Sequence, residues 1–236
     1  MNSRAARVAY AALAAVLGVW AGAWFYSSHN TAQSSRGVRV AAGEASRPNP
    51  SDLTDTLPGA APAGALPTAK IPQRLPQFSL SDRAGKTTPI ASFGDKSLII
   101  NFWATWCAPC RSEIPLLESL NSEWAARDMR VVGIAVDDRD KVLEFADRFK
   151  IGYPLLIGEQ DALDAAAALG VDTPVFPFTV FTDRRGELVA LFIGELHRPQ
   201  AELILSQVQS LNRNLVQLAA ARLAITEGLR ALRSGP

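Results

Sequence analysis

The chain has 236 residues, 48% of them hydrophobic and 20% charged, with a formal net charge of +1. That is the composition of a globular protein of one or two domains, and it argues against a nucleic-acid binder, which would carry a basic domain. Two cysteines and two distant histidines exclude a disulfide scaffold and leave too few ligands for a structural zinc site, so no metal and no cofactor is expected.

Arg4 and Arg7 precede a stretch without charge, Val8 to Tyr26, that at ~1.5 Å per residue just spans a bilayer core. No arginine follows until Arg36, so residues 1–7 should stay cytoplasmic, with 8–26 as a single transmembrane anchor and everything beyond outside. Ala21-Gly22-Ala23 also fits a signal-peptide cleavage site, and this second reading exports the rest of the chain equally. Residues 27–71, rich in proline and alanine with hardly an aromatic, read as a flexible tether.

Ser97 to Trp103 (SLIINFW) is an apolar, partly β-branched run that predicts a buried strand, followed by the only two cysteines, Cys107 and Cys110, and a helical pattern from Arg111 to Arg127. Arg130 to Val136 predicts a second buried strand, Lys141 to Phe149 a helix, Tyr153 to Ile157 a short strand and Asp161 to Leu169 a helix. Phe178 to Phe181 and Leu188 to Ile193 predict two strands joined by a tight turn at Asp183-Arg184-Arg185-Gly186. Alternating strands and helices closed by a hairpin point to an α/β domain over residues 72–211. Within the last stretch, Ile204, Val208, Leu211, Leu215, Leu218, Arg222, Ile225, Leu229 and Leu232 keep a 4-3-4-3 spacing. They predict a helical extension over 212–236, which either continues over the domain surface or pairs with a second copy as a homodimer; Asn212-Arg213-Asn214 could break it.

Trp106-Cys107-Ala108-Pro109-Cys110 falls between a strand and a helix start, where unpaired backbone N–H groups and the positive dipole end favour a thiolate. Cys110 lies nearly one turn further, within reach of a small disulfide ring. This makes Cys107 the attacking sulfur and Cys110 the thiol that resolves the mixed disulfide. Without a second CxxC or CxxH the pair is half a zinc site at best, and on an exported chain an idle vicinal pair is not expected.

The segment from Asn101 to Cys110 (NFWATWCAPC), followed by Arg111-Ser112-Glu113-Ile114-Pro115, resembles the active-site segment of the thioredoxin-like proteins, specifically the membrane-tethered periplasmic TlpA/ResA branch, over about residues 72 to 211. The resemblance implies a thioredoxin-like fold, a mixed central sheet flanked by helices, and a periplasmic thiol–disulfide oxidoreductase on the inner membrane. It also implies a kinking proline inside the active-site helix, Pro115, and a cis-proline opposite the disulfide. Pro177 in Phe176-Pro177-Phe178-Thr179-Val180-Phe181 matches that second landmark, with Phe176 placed to pair with an extended substrate strand. This sequence departs from the family by two extra residues between Val171 and that proline, which leaves Pro174 as the alternative. Glu113 falls where the family carries a partly buried glutamate, which implies a raised pKa and relay of the Cys110 proton; Asn101 replaces thioredoxin's titratable aspartate. Trp106 and Pro109 should border the substrate, Trp103 should be structural and His197 a loop histidine.

The implied substrates are protein disulfides, such as those of apocytochrome c in cytochrome c maturation, with electrons from a membrane thiol transporter of the CcdA/DsbD kind. The rivals are a disulfide oxidase using the same residues, a Cu(I) carrier and an assembly scaffold acting through the C-terminal heptads.

Overall fold

The computed structural model describes residues 71–173 and 175–235. The anchor and all of the tether but Ile71, expected over 8–26 and 27–71, and Pro174 lie outside the described residues; among those described, no helix is long and apolar enough to cross a membrane. The chain forms β1 (Ser79–Asp82), β2 (Thr87–Pro89), β3 (Ser97–Trp103), α1 (Ala108–Trp124), β4 (Met129–Val136), α2 (Arg139–Phe149), β5 (Leu155–Gly158), α3 (Gln160–Ala168), β6 (Phe178–Thr182), β7 (Leu188–Ile193), α4 (Arg198–Asn212) and α5 (Leu218–Ser234). The strands make one seven-stranded mixed sheet in the order β2-β1-β5-β4-β3-β6-β7.

β3 is buried at all seven positions because it lies near the middle of the sheet, parallel to β4 and antiparallel to β6. Its alternate side chains enter two cores. Ile99 and Trp103 face α1, α2 and α4, while Leu98, Ile100 and Phe102 face α3 and the β1–β2 segment. The predicted strand over Ser97 to Trp103 and the β7 strand are found with those ends. β1 and β2 have no sequence counterpart, since Ser79–Asp82 (SLSD) buries only Leu80 and carries no apolar run. The active-site helix starts at Ala108 rather than Arg111, because Cys107 caps it.

The C-terminal segment is not one long helix. Asn214 takes a left-handed conformation (φ 56°) at the break, and α5 folds back along α4. Gly228 permits the approach, because a Cβ there would meet Leu203 Cδ2 at 2.7 Å. Ile204, Val208, Leu211, Ile225 and Leu229 are all buried within this chain, so most of the 4-3-4-3 seam packs within the domain, while Leu215 and Leu232 on the same spacing stay exposed. The last helix thus shares the core of the domain rather than extending from it. Arg222 Nε donates to the carbonyl of Leu188 at 3.2 Å, and Gln73 accepts from Leu188 N at 2.9 Å, along the edge strand β7.

Candidate active site

The buried end of β3 sets the site. After Trp103 the chain leaves the sheet, and Cys107 becomes the N-cap of α1, its Sγ accepting from Cys110 N at 3.2 Å. Cys107 and Cys110 are joined as a disulfide with Cα atoms 5.3 Å apart. Cys107 is 5% exposed and Cys110 1%, which leaves the first sulfur the more accessible to an incoming thiol. The loop in front is pinned from β4, where Asp137 accepts from Thr105 N at 3.1 Å and also from its hydroxyl. Pro115 sits inside α1 and withholds one backbone donor from the turn that carries both sulfurs.

Opposite the helix start, the Phe176–Pro177 peptide bond is cis. The Phe176 ring bridges surface and core. It meets Trp106 edge-on at 6.0 Å and stacks on Phe178 at 6.2 Å, which in turn stacks on Phe102 at 4.4 Å. Trp106 is 67% exposed and Val175, within the two-residue-longer loop, 60%. Pro109 is exposed beside them, so the rim of the disulfide is apolar and open.

Beneath the sulfurs lies a buried carboxyl. Glu113, one helical turn past Cys110, is almost fully buried; its Oε1 accepts from Asn101 Nδ2 at 2.7 Å and its Oε2 from Leu196 N at 2.9 Å. Burial, with a smaller contribution from the neighbouring Glu195 charge, raises the Glu113 pKa to about 7 against the pull of those two donors. Asn101 spends its second amide hydrogen on Thr179 Oγ1 at 3.1 Å, across the β3–β6 pairing that sets the two residues side by side. A carboxyl that changes charge near neutrality can take and return the proton of the resolving thiol.

The structure therefore brings together Cys107, Cys110 and Glu113, with Trp106, Pro109 and Phe176 at the rim and Pro177 buried behind Phe176. His197 stands apart, exposed, with Nδ1 3.8 Å from Glu195 Oε1. Trp103 is buried against Phe145. Sequence reasoning missed the carboxyl's two partners, Asn101 as donor and the backbone N–H of Leu196, and Thr179, which holds Asn101. Asn101 had a signal, as the one amide inside an otherwise apolar strand; a buried amide must find partners. Among the described residues no cluster of metal-ligating side chains occurs.

Residues 71–192 match the AhpC/TSA family. Among curated relatives, the thioredoxin-like protein YneN of Bacillus subtilis (strain 168) is 30% identical over 136 residues, 55% of this chain and 75% of that protein. The thiol-disulfide oxidoreductase ResA of Geobacillus kaustophilus is 27% identical over 135 residues, 57% of this chain and 75% of that protein. Among solved structures, a secreted thiol-disulfide isomerase from Corynebacterium glutamicum superposes with a TM-score of 0.51 at 24% identity, over 72% of this chain and 98% of that one, a likeness of fold.

Proposed function

This chain belongs to the AhpC/TSA family, with the thioredoxin-like α/β fold, and from that premise we propose that its Cys107–Cys110 pair reduces disulfides in other proteins. The chain is a thiol–disulfide oxidoreductase of the ResA type. In the reducing direction the Cys107 thiolate attacks a substrate disulfide, forming a mixed disulfide and releasing one substrate thiolate. Cys110, its proton passed to Glu113, then attacks Cys107 Sγ, closes the observed disulfide and releases the second substrate thiolate. Two electrons leave the Cys107–Cys110 pair, and the two substrate thiolates take up two protons, one that Cys110 gave to Glu113 and one from solvent.

The observation that carries the direction is Glu113. A carboxylate buried one turn from Cys110 opposes thiolate formation, and a dithiol whose thiolate is not stabilised is the stronger reductant. The anchor-like stretch at 8–26 supports placing the domain in the periplasm on the inner membrane. There its substrates would include apocytochrome c, and a transmembrane thiol transporter of the CcdA/DsbD kind would return it to the dithiol.

The test is the reduction potential of the Cys107–Cys110 pair. A value near the ~−270 mV of thioredoxin supports the reductase, whereas one near the ~−120 mV of DsbA assigns the chain as an oxidase. Cys107→Ser should abolish both substrate reduction and mixed-disulfide trapping; retained activity would end the redox reading.

A further inference from the structure

The near-neutral chain carries a local cluster of arginines at one end of the domain. β3 separates two ends: its C-terminal end leads to the disulfide, and its N-terminal end, roughly 20 Å away at ~3.3 Å per residue, opens on a cleft lined by Arg127, Arg184 and Arg213 together with Gln209 and Asn212. Arg184 donates to the carbonyl of Asn212, and Arg185 Nη2 donates to Asn214 Oδ1 at 2.6 Å, so the β6–β7 turn and the α4–α5 break form one surface. No ion pair among the described residues includes Arg127, Arg184, Arg185 or Arg213. The cleft's own carboxylate, Asp128, stands 4.0 Å from Lys96. The same α4–α5 break, two residues past Arg213, presents Leu215, 70% exposed and the most exposed large hydrophobic side chain of the described residues.

The described chain also begins here. Leu75 N donates to Gly186 O at 2.8 Å, Arg74 Nη2 donates to Arg185 O at 2.7 Å, and the Arg74 and Glu187 backbones pair as an isolated antiparallel bridge, so the first described residues are held at this end. Arginines that enter no ion pair, although Arg127 lies over the Trp124 ring and Arg184 and Arg185 donate to Asn212 and Asn214, together with one exposed leucine are the chemistry of a protein face that rests on anionic headgroups and dips one apolar side chain below them.

We propose that this end of the domain docks on an anionic phospholipid surface, which turns the disulfide away from the membrane. The docking goes beyond the redox reading and is independent of it. It makes use of the anchor at 8–26 without requiring it, because the arginines and Leu215 supply their own affinity.

Hydrogen–deuterium exchange on the full chain, added to vesicles of phosphatidylcholine alone or with phosphatidylglycerol, tests it. Residues 183–187 and 212–217 should gain protection only with phosphatidylglycerol, and lose it near 1 M salt, where the screening length falls to about 3 Å. Arg213→Glu should cost at least about fivefold of that protection, in line with the worth of one basic residue near an anionic surface. Leu215→Ser, at a side chain already in solvent, is the second variant and should weaken it with redox activity intact. Equal protection on neutral lipid, protection unchanged in Arg213→Glu, or none on either vesicle overturns the docking. So does protection by soluble polyglutamate equal to that by phosphatidylglycerol, which would assign the face to an acidic protein. Flotation with the neutral vesicles reports the anchor separately, so failure of either reading is seen alone.

Discussion

The two ends of β3 each bury a polar cluster, and they answer the same constraint differently. At the N-terminal end, Leu98 N donates to Thr182 Oγ1 at 3.1 Å and Asn212 Nδ2 to Ser97 Oγ at 2.8 Å, so hydroxyls and an amide close the strand against α4. Four residues along, Asn101 bonds both Glu113 and Thr179. The first cluster is neutral and matched to one state. The second holds a carboxyl whose partners, an amide N–H and the Leu196 N–H, suit its charged form while its burial suits the neutral one. Burial of polar groups is affordable in both places, but only opposed demands on one group keep its proton affinity near neutrality.

The contrast can be broken by experiment. The largest effect expected is on stability against pH. Glu113 has a pKa of about 7 in the fold against a usual 4.5, so the native state keeps a proton that the unfolded chain has lost. The contribution of Glu113 to stability should be full below pH 4.5, fall by on the order of 3 kcal/mol as pH rises toward 7, and be flat above it, while carboxylates with lowered pKa such as Asp82 and Glu123 act in the opposite sense at the acid end. Urea midpoints from pH 4 to 8 would show it, and Glu113→Gln should flatten the slope; the same slope in that variant would remove Glu113 as its source.

Next in size is Asn101→Leu, which strips Oε1 of its donor. A hydrogen bond to a charged group is worth ~1.5–3 kcal/mol, so the Glu113 titration should move upward by about 1–2 pH units, read from the pH profile of thiol alkylation or from the carboxyl carbon by NMR. A downward shift would mean that Asn101 stabilises the acid instead. The smallest effect belongs to the other end. Asn212→Ala should cost ~1 kcal/mol in a denaturant titration and leave the pH profile where it was; a displaced profile would couple two clusters that share no hydrogen bond.

Much of this was legible in the chain. The strand over Ser97–Trp103 announces itself because both of its faces are buried; the strand–CxxC–helix pattern names the two sulfurs, and the resemblance adds Glu113 and Pro177. What stayed hidden depends on packing. Leu196 contributes a backbone N–H, which every residue but proline owns, and only the turn after β7 aims it at Glu113. The heptad spacing is real, yet its partner is α4 of the same chain, a choice made by the bend at Asn214 and the bare backbone of Gly228 facing Leu203.

One feature of the sheet reaches beyond the site. Its edges are β2, three residues ending in proline, and β7, where Gln73 and Arg222 occupy the main chain of Leu188. An open edge recruits any extended polypeptide, and repeated recruitment becomes aggregation. A protein that exchanges disulfides with other chains meets extended segments as its ordinary business. With proline closing one margin and Gln73 and Arg222 holding the main chain of Leu188 at the other, an extended segment brought to the disulfide meets a blunted edge on either side of the sheet.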